Sequence, residues 1–471
     1  MLFSSATFLF VFLPVVLLFY FVPLFRQNPQ REMTKKNAVL CLASLVFYAW
    51  GEPVYIVLML ISIYFNYNIG LDLEAHTFNE RRRKKIFVCA VVFNLLVLGF
   101  FKYFPFAVDN FSRLFSLEIK AANISLPIGI SFYTFQILSY VIDVYRGKCR
   151  AQRKLLPFAT YICMFPQLIA GPIVQYGDIE RQLRNRRIGV RKFSAGVLFF
   201  IRGLGKKVLF ANTIGAVYTE ITAREPGTTG LVVAWFGILC YTLQIYFDFS
   251  GYSDMAIGLG KMFGFDFIQN FNFPYTADST KDFWSRWHIS LSNWFRDYVY
   301  IPLGGNRKGT GRTIINLLIV WALTGLWHGA AWNFVAWGVY YGVLLILEKY
   351  VFGGLTEKLP HWAKRVLTML IVIVGWVFFS AESLGDAARY LGAMIGTGGL
   401  FDGTTAFVLR SNFFPFAVMC CSALGFFRKF PKLKDANIRL ALQAVGYAAV
   451  LTLCVVSLVS ETYNPFLYFR F

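Results

Sequence analysis

Four histidines in a chain of 471 residues leave few places for imidazole chemistry. His328 lies in "LTGLWHGAAW" (323–332), where its neighbours are all apolar, small or a single hydroxyl. Burying an ionisable ring in such a frame costs several kcal/mol unless a partner or water meets it, so a histidine at membrane depth is a functional hypothesis by default. Its unperturbed pKa of about 6.5 suits a base that takes the proton of an attacking hydroxyl. The competing reading is a structural hydrogen bond between helices. Gly325 and Gly329 form a small-xxx-small pair, expected to admit a neighbouring helix and to leave space beside the ring.

His288 lies in "KDFWSRWHISLSNWFRDYVYIPLGGNRKG" (281–309). Trp284, Trp287, Leu291, Trp294, Phe295 and Tyr298 recur at helical spacing among Asp282, Arg286, Arg296 and Asp297. That pattern predicts an amphipathic helix at the membrane interface, anchored by indole rings, with His288 as one more interfacial polar group. Gly304, Gly305, Asn306, Arg307, Lys308 and Arg312 then make a flexible cationic stretch. It could hold a phosphate-rich ligand, meet lipid headgroups or serve only as a topology signal, and it carries no Walker or GxGxxG fingerprint. In "LQIYFDFSGYSDMAIG" (243–258) Gln244, Asp248, Ser250, Ser253 and Asp254 interrupt an apolar run. The two aspartates, six residues apart, fall on different faces of an ideal helix, with Gly251 a point of possible breakage. Hydrogen bonding between helices accounts for them better than a proton relay. Asp143 and Arg146 read as a topology signal or an ion pair.

The elements that must position these residues are legible from composition. Apolar residues make up 57% of the chain and charged residues 15%, against about 45–50% and 25% in soluble domains. Long apolar runs recur throughout, which predicts an all-α polytopic membrane protein and not a β-barrel. The net charge of +21 comes from Lys and Arg in short loops at 26–36, 80–85, 146–154, 181–192, 304–312 and 427–439, the positive-inside pattern. No nucleic-acid motif accompanies it. The eight cysteines form no CxxC pair and read as core-filling thiols without a metal site. Residues 1–25 lack a basic leader and a cleavage site and read as a retained span with its N-terminus outside.

Pairing spans between basic loops makes 38–50 and 53–70 a hairpin around "GEP", with 86–105 and 126–145 as further crossings. Segment 155–176 joins two basic loops, so with Pro166, Gly171 and Pro172 it reads as a re-entrant or broken element. The apolar run 313–347 is too long for one span and should break near "HGAAWN". His328 is then some 16 residues beyond the basic loop, or about 24 Å at 1.5 Å per residue. The expectation is 10–12 transmembrane helices plus re-entrant and interfacial helices, in a single domain over 1–471 with an aromatic tail at 461–471 and no internal repeat.

Five ordered stretches carry a family likeness: "PIGISFYTFQILSYVIDVYRG" (127–147), "FPQLIAGPIVQY" (165–176), "IYFDFSGYSDMAIG" (245–258), "FWSRWHISLSNWFRDYVYIPLGGNRKG" (283–309) and "LTGLWHGAAWNF" (323–334). Together they resemble the membrane-bound O-acyltransferases, in particular the branch of the bacterial alginate O-acetyltransferase membrane subunit and its relatives in peptidoglycan, cellulose and exopolysaccharide acetylation. One departure is Gln175, where the family commonly has Arg.

The resemblance implies a bowl of helices whose thinned centre joins cytoplasmic and extracellular funnels. It implies that His328 is the catalytic base and His288 the second site residue, and that Asn306, Arg307, Lys308, Trp327 and Asn333 help bind an acyl thioester donor. That donor would be acetyl-CoA, with no tightly bound cofactor. It further implies O-acetylation of an extracytoplasmic polysaccharide from a bacterial cytoplasmic membrane, with an SGNH-type partner transferase. The ending "ETYNPFLYFRF" matches a signature of envelope acylation systems in which a tyrosine holds the acyl group briefly; Tyr468 is the matching position and Tyr463 the local rival. A teichoic acid D-alanyl transferase is the nearest alternative, and a transporter or flippase of envelope precursors the alternative from another class.

Overall fold

The computed structural model describes residues 1–25, 27–119, 124–224, 227–429, 435–460 and 466–467. These residues are helical throughout their regular parts, with no strand among them. The helices used below are α1 (Pro29–Gly51), α2 (Tyr55–Ala75), α3 (Glu80–Leu114), α4 (Ile130–Tyr145), α5 (Leu155–Cys163), α6 (Val190–Gly205), α7 (Asn212–Thr222), α8 (Leu231–Met262), α9 (Thr280–Arg286), α10 (Ile289–Phe295), α11 (Gly309–His328), α12 (Trp332–Leu347), α13 (His361–Ser380), α14 (Thr405–Ala423) and α15 (Ala436–Ser460). Two compact units share them, one formed by residues 1–200 and 252–268, the other by 201–251 and 269–471.

Eight described helices are long and apolar enough to cross a bilayer: α2, α3, α8, α11, α12 with the turn that extends it to Phe352, α13, α14 and α15 from Asn437. A shorter apolar helix covers Phe8–Phe21. The expected crossings at 38–50 and 126–145 fall on α1, which opens on the charged "PQREMTKKN", and on the 16-residue α4. The protein is thus a multi-pass helical membrane protein. Of the window that qualifies α8 as a span, 72% is buried by protein, against 6% for α15. Helix α8 is therefore a core element, whereas α15 leaves its apolar faces for lipid.

In the first unit, paired amides hold α2 to α3: Asn66 and Asn94 donate to each other at 3.1 and 2.8 Å. Segment 155–176 breaks as expected. Helix α5 ends at Cys163, a single turn follows at Phe165–Leu168, and the chain then turns at 169–171 and continues without helix to Tyr176. The freed groups find partners inside the protein, as non-helical backbone at membrane depth must. The Phe165 N–H donates to Ser44 Oγ at 3.0 Å, Gln167 Nε2 to Tyr161 O at 2.7 Å, and Tyr161 Oη to Val174 O at 3.0 Å. Arg186, within a basic run read as a cytoplasmic loop, is buried; its Nε donates to Tyr20 Oη and Phe263 O, and its Nη1 to Asn37 Oδ1 at 2.7 Å. Asp143 pairs with Lys148 at 3.5 Å.

Two sequence expectations change. Gly251 does not break α8, which runs without interruption over 32 residues. A Cβ there would lie 2.8 Å from Gly203 O and 3.1 Å from Lys207 N, so this glycine marks close helix approach. The amphipathic interfacial helix is not one helix either. It breaks at Trp287 and His288 into α9 and α10, and all six of its expected anchors, Trp284 to Tyr298, are buried in protein. The basic stretch at 304–312 lies at the opposite end of α11 from His328, as the count along the sequence predicts.

Candidate active site

The site is built on an αα-hairpin. Helix α11 ends on His328, three residues turn, and α12 begins at Trp332, which places the break where the sequence predicts it. Close approach of the two helices depends on glycines. A Cβ on Gly325 would lie 2.3 Å from Phe334 O, and one on Gly338 the same distance from Trp321 O. The space expected beside the imidazole at Gly329 is filled by the Phe334 ring, 2.2 Å from where a Cβ would stand.

His328 is 4% exposed. Its ring meets Trp327 and Trp337 at 5.0 Å and Phe379 at 5.2 Å between centroids, each edge to face. As the last residue of a 20-residue helix, it stands at the negative end of the α11 dipole, where a cation is favoured.

His288 occupies the break between α9 and α10 at φ 46° and ψ 53°, a left-handed backbone that side chains other than glycine rarely adopt. It is 1% exposed, and its ring meets Phe249 at 4.7 Å and Trp327 at 6.0 Å. Trp327 thus touches both histidines. Asn270, which sequence reasoning did not single out, fixes the His288 tautomer. The Ser290 N–H donates to Asn270 Oδ1 at 3.1 Å, and a backbone amide can only donate, so this atom is the oxygen. His288 Nδ1, 3.3 Å from the same oxygen, must then carry the proton, which leaves Nε2 the lone pair. Desolvation pushes the His288 pKa down to about 3, so the ring is neutral at physiological pH. In this tautomer Nε2 accepts a hydrogen bond and does not donate one. No spacing rule links position 270 to 288; only the folded loop brings them together.

The remaining expected site residues divide. Trp327 lies in the site. Asn333 is buried close by, but its Nδ2 donates to Ala381 O at 2.7 Å and Phe378 O at 3.3 Å, so it clamps the end of α13. Asn306, Arg307 and Lys308 are exposed on a loop with left-handed Gly304, Gly305 and Gly309, tied down by Asn316 Nδ2 donating to Gly305 O at 2.9 Å. They lie at the other end of α11, about 30 Å from His328 at 1.5 Å per residue. Tyr463 and Tyr468 lie outside the described residues.

At the His328 end of α11 the same unit holds a cavity of about 880 Å³. Val377 and Ser380 of α13 and Ala381 just after it line it, and Phe379 faces His328. Tyr218, Thr219, Thr222, Tyr241 and Gln244 add hydroxyls and an amide. Among the described residues, the three cations in its wall are paired: Lys207 with Asp248 at 2.5 Å, Arg224 with Asp402 at 3.8 Å, and Arg389 with Asp386. Lys207 was also absent from the sequence reading, as one lysine among many.

Residues 151–384, which include both histidines, match the family model of the membrane-bound O-acyltransferase family. The chain is 41% identical to a probable alginate O-acetylase of Pseudomonas putida, with both chains covered in full. This chain belongs to the membrane-bound O-acyltransferase family. It is 35% identical to a peptidoglycan O-acetyltransferase of Helicobacter pylori over 85% of its length and 81% of that relative. Identity to a teichoic acid D-alanyltransferase of Bacillus subtilis is 27%, over 62% of this chain and 75% of the relative. A membrane O-acyltransferase is an enzyme, so the transporter alternative is set aside.

Proposed function

We propose that this acyltransferase moves an acetyl group from a cytoplasmic thioester, acetyl-CoA, across the membrane for O-acetylation of an extracytoplasmic polysaccharide. The observation that carries this reading is the buried His328 between a basic loop at one end of α11 and a hydroxyl-lined cavity at the other. The exposed Arg307 and Lys308 suit an anionic donor. The cavity, whose cations are already neutralised, suits a polyhydroxyl acceptor or a transferase that serves one. The full-length likeness to an alginate O-acetylase and the shorter, weaker likeness to a D-alanyltransferase favour acetyl over D-alanyl transfer. The protein then lies in a bacterial cytoplasmic membrane, with basic loops inside, the N-terminus outside and an SGNH-type transferase as external partner.

In the proposed step, His328 removes the proton of the attacking hydroxyl as its oxygen bonds to the thioester carbonyl carbon. The tetrahedral intermediate collapses, the C–S bond breaks, and the imidazolium returns the proton to the departing thiolate. The His288 Nε2 lone pair receives a hydrogen bond from the incoming hydroxyl and orients it. The first acceptor is the Tyr468 phenol, a poor nucleophile without a base because its ordinary pKa is near 10; the aryl ester then donates to the partner.

The test is acetyl-CoA added to purified protein. Free CoA thiol and a 42-Da adduct on the C-terminal peptide (about one acetyl less one hydrogen, from the transfer chemistry) are expected, both lost in His328→Ala. Thiol release undiminished by His328→Ala would overturn the assignment of the base. An unmodified peptide with continuing glycan acetylation would remove Tyr468 from the route.

A further inference from the structure

The helix that begins as α6 continues through one π-type turn at Lys206–Ala211 into α7. Such turns re-aim side chains and concentrate at functional sites. Here the turn points Lys207 at Asp248 of α8, Nζ to Oδ1 at 2.5 Å, with side-chain exposures of 3% and 2%. A buried ion pair is costly to desolvate and adds little stability by itself, so its retention calls for a further role. The second carboxylate oxygen supplies one. Asp248 Oδ2 accepts the backbone N–H of Leu467 at 2.8 Å, and Lys207 Nζ lies 4.6 Å from the centre of the Phe466 ring, within cation–π range. Phe466 is 1% exposed, and Leu467 joins Lys207 in the cavity wall.

The sequence distance is 219 residues between Asp248 and Leu467. Phe466–Leu467 is held by a backbone hydrogen bond, a cation and a buried ring on one paired site.

We propose that Lys207 and Asp248 are positioning residues that dock the C-terminal segment Phe466–Leu467 at the cavity and so present the residue that follows for acylation. Docking stands on the contacts alone; the purpose of docking rests on the acyl-tyrosine reading of the proposed function. The pair fixes the tail without touching the donor. Its loss should lower the rate of tail acylation and leave donor affinity unchanged.

The test uses the full-length protein in detergent. Chymotrypsin cleavage after Phe466, followed by mass spectrometry, reports docking whether or not the tail is ever acylated. Slow cleavage is expected in the unaltered protein, rising at least tenfold in a Lys207→Met/Asp248→Leu double variant that removes both charges together. If that variant is not monodisperse, Asp248→Asn, nearly isosteric, should give a smaller rise in the same direction. Acyl transfer to the tail should lose at least tenfold in kcat with donor KM within twofold, and Lys207→Arg, which keeps the cation, should restore it. Rapid cleavage of the unaltered tail overturns the dock. Slow cleavage that the double variant relieves, with transfer rate unchanged, overturns the positioning role and leaves the dock. Failure of the tail to be acylated in any variant, with docking as expected, overturns the acyl-tyrosine reading and with it the purpose assigned here.

Discussion

At the scale of single residues, the two histidines are buried alike and held differently. His288 is locked into one tautomer by Asn270 and held neutral by desolvation, with a pKa of about 3. It lies outside the eight spans. Between pH 6.5 and 3 the unfolded chain carries a proton on this residue that the folded chain refuses, so the unfolded state binds more protons and stability rises with pH there. Acidification from pH 7 to 5 should therefore cost about 2 kcal/mol through this ring. Thermal unfolding of the wild type at the two pH values, compared with His288→Asn, checks this. Asparagine tolerates the left-handed backbone and has no proton to gain, so its pH slope should be flatter; equal slopes would count against the neutral assignment. Replacing Asn270 with Leu removes the oxygen that accepts from the Ser290 N–H and the His288 Nδ1–H, an expected loss of about 1–3 kcal/mol. Transfer activity should fall with it, since Nε2 is then free to become the donor nitrogen.

At the scale of elements, the α11–α12 hairpin sets where His328 stands. Its closeness is a backbone matter, because the atoms nearest the missing Cβ of Gly325 are Phe334 O and C and Gly338 Cα. Backbone cannot rotate aside as a flexible side chain can. Gly325→Ala is expected to splay the hairpin, lower stability by about 1–3 kcal/mol and reduce turnover more than donor binding. Gly311→Ala is the control. Nothing stands within 4 Å of that position, and alanine in a helix is favoured over glycine by about 0.5–1 kcal/mol. Melting temperatures of the two variants should move in opposite directions. The π-type turn at 206–211 is the other element that decides a site contact, since an uninterrupted α-helix would carry Lys207 to a different bearing.

At the scale of the whole molecule, the basic loop and the histidine occupy opposite ends of one membrane-crossing helix. An Arg307→Gln/Lys308→Gln variant should raise the apparent KM for acetyl-CoA several-fold and weaken its salt dependence, with kcat within about twofold, because screened surface charge steers encounter and not chemistry. Steady-state kinetics at two ionic strengths reads this out; a matching fall in kcat would place the loop in the reaction itself.

The sequence by itself determined the class, the break after His328 and the broken 155–176 segment. Each follows from local chemistry: hydropathy over some 20 residues, proline and glycine, and loop charge, all of which act within a few turns of chain. The family motifs likewise pointed to His328 and His288. Only the tertiary structure decided what those side chains touch. Periodicity wrongly joined α9 to α10 because the aromatic spacing is helical on both sides of a left-handed residue, and the rings meet protein where the pattern suggested an interface. Asn270, Lys207 and the seat of Phe466–Leu467 depend on partners 18, 41 and 219 residues away. Hydrogen bonds and ion pairs at such separations are set by how helices pack, and no local pattern in the chain encodes their geometry.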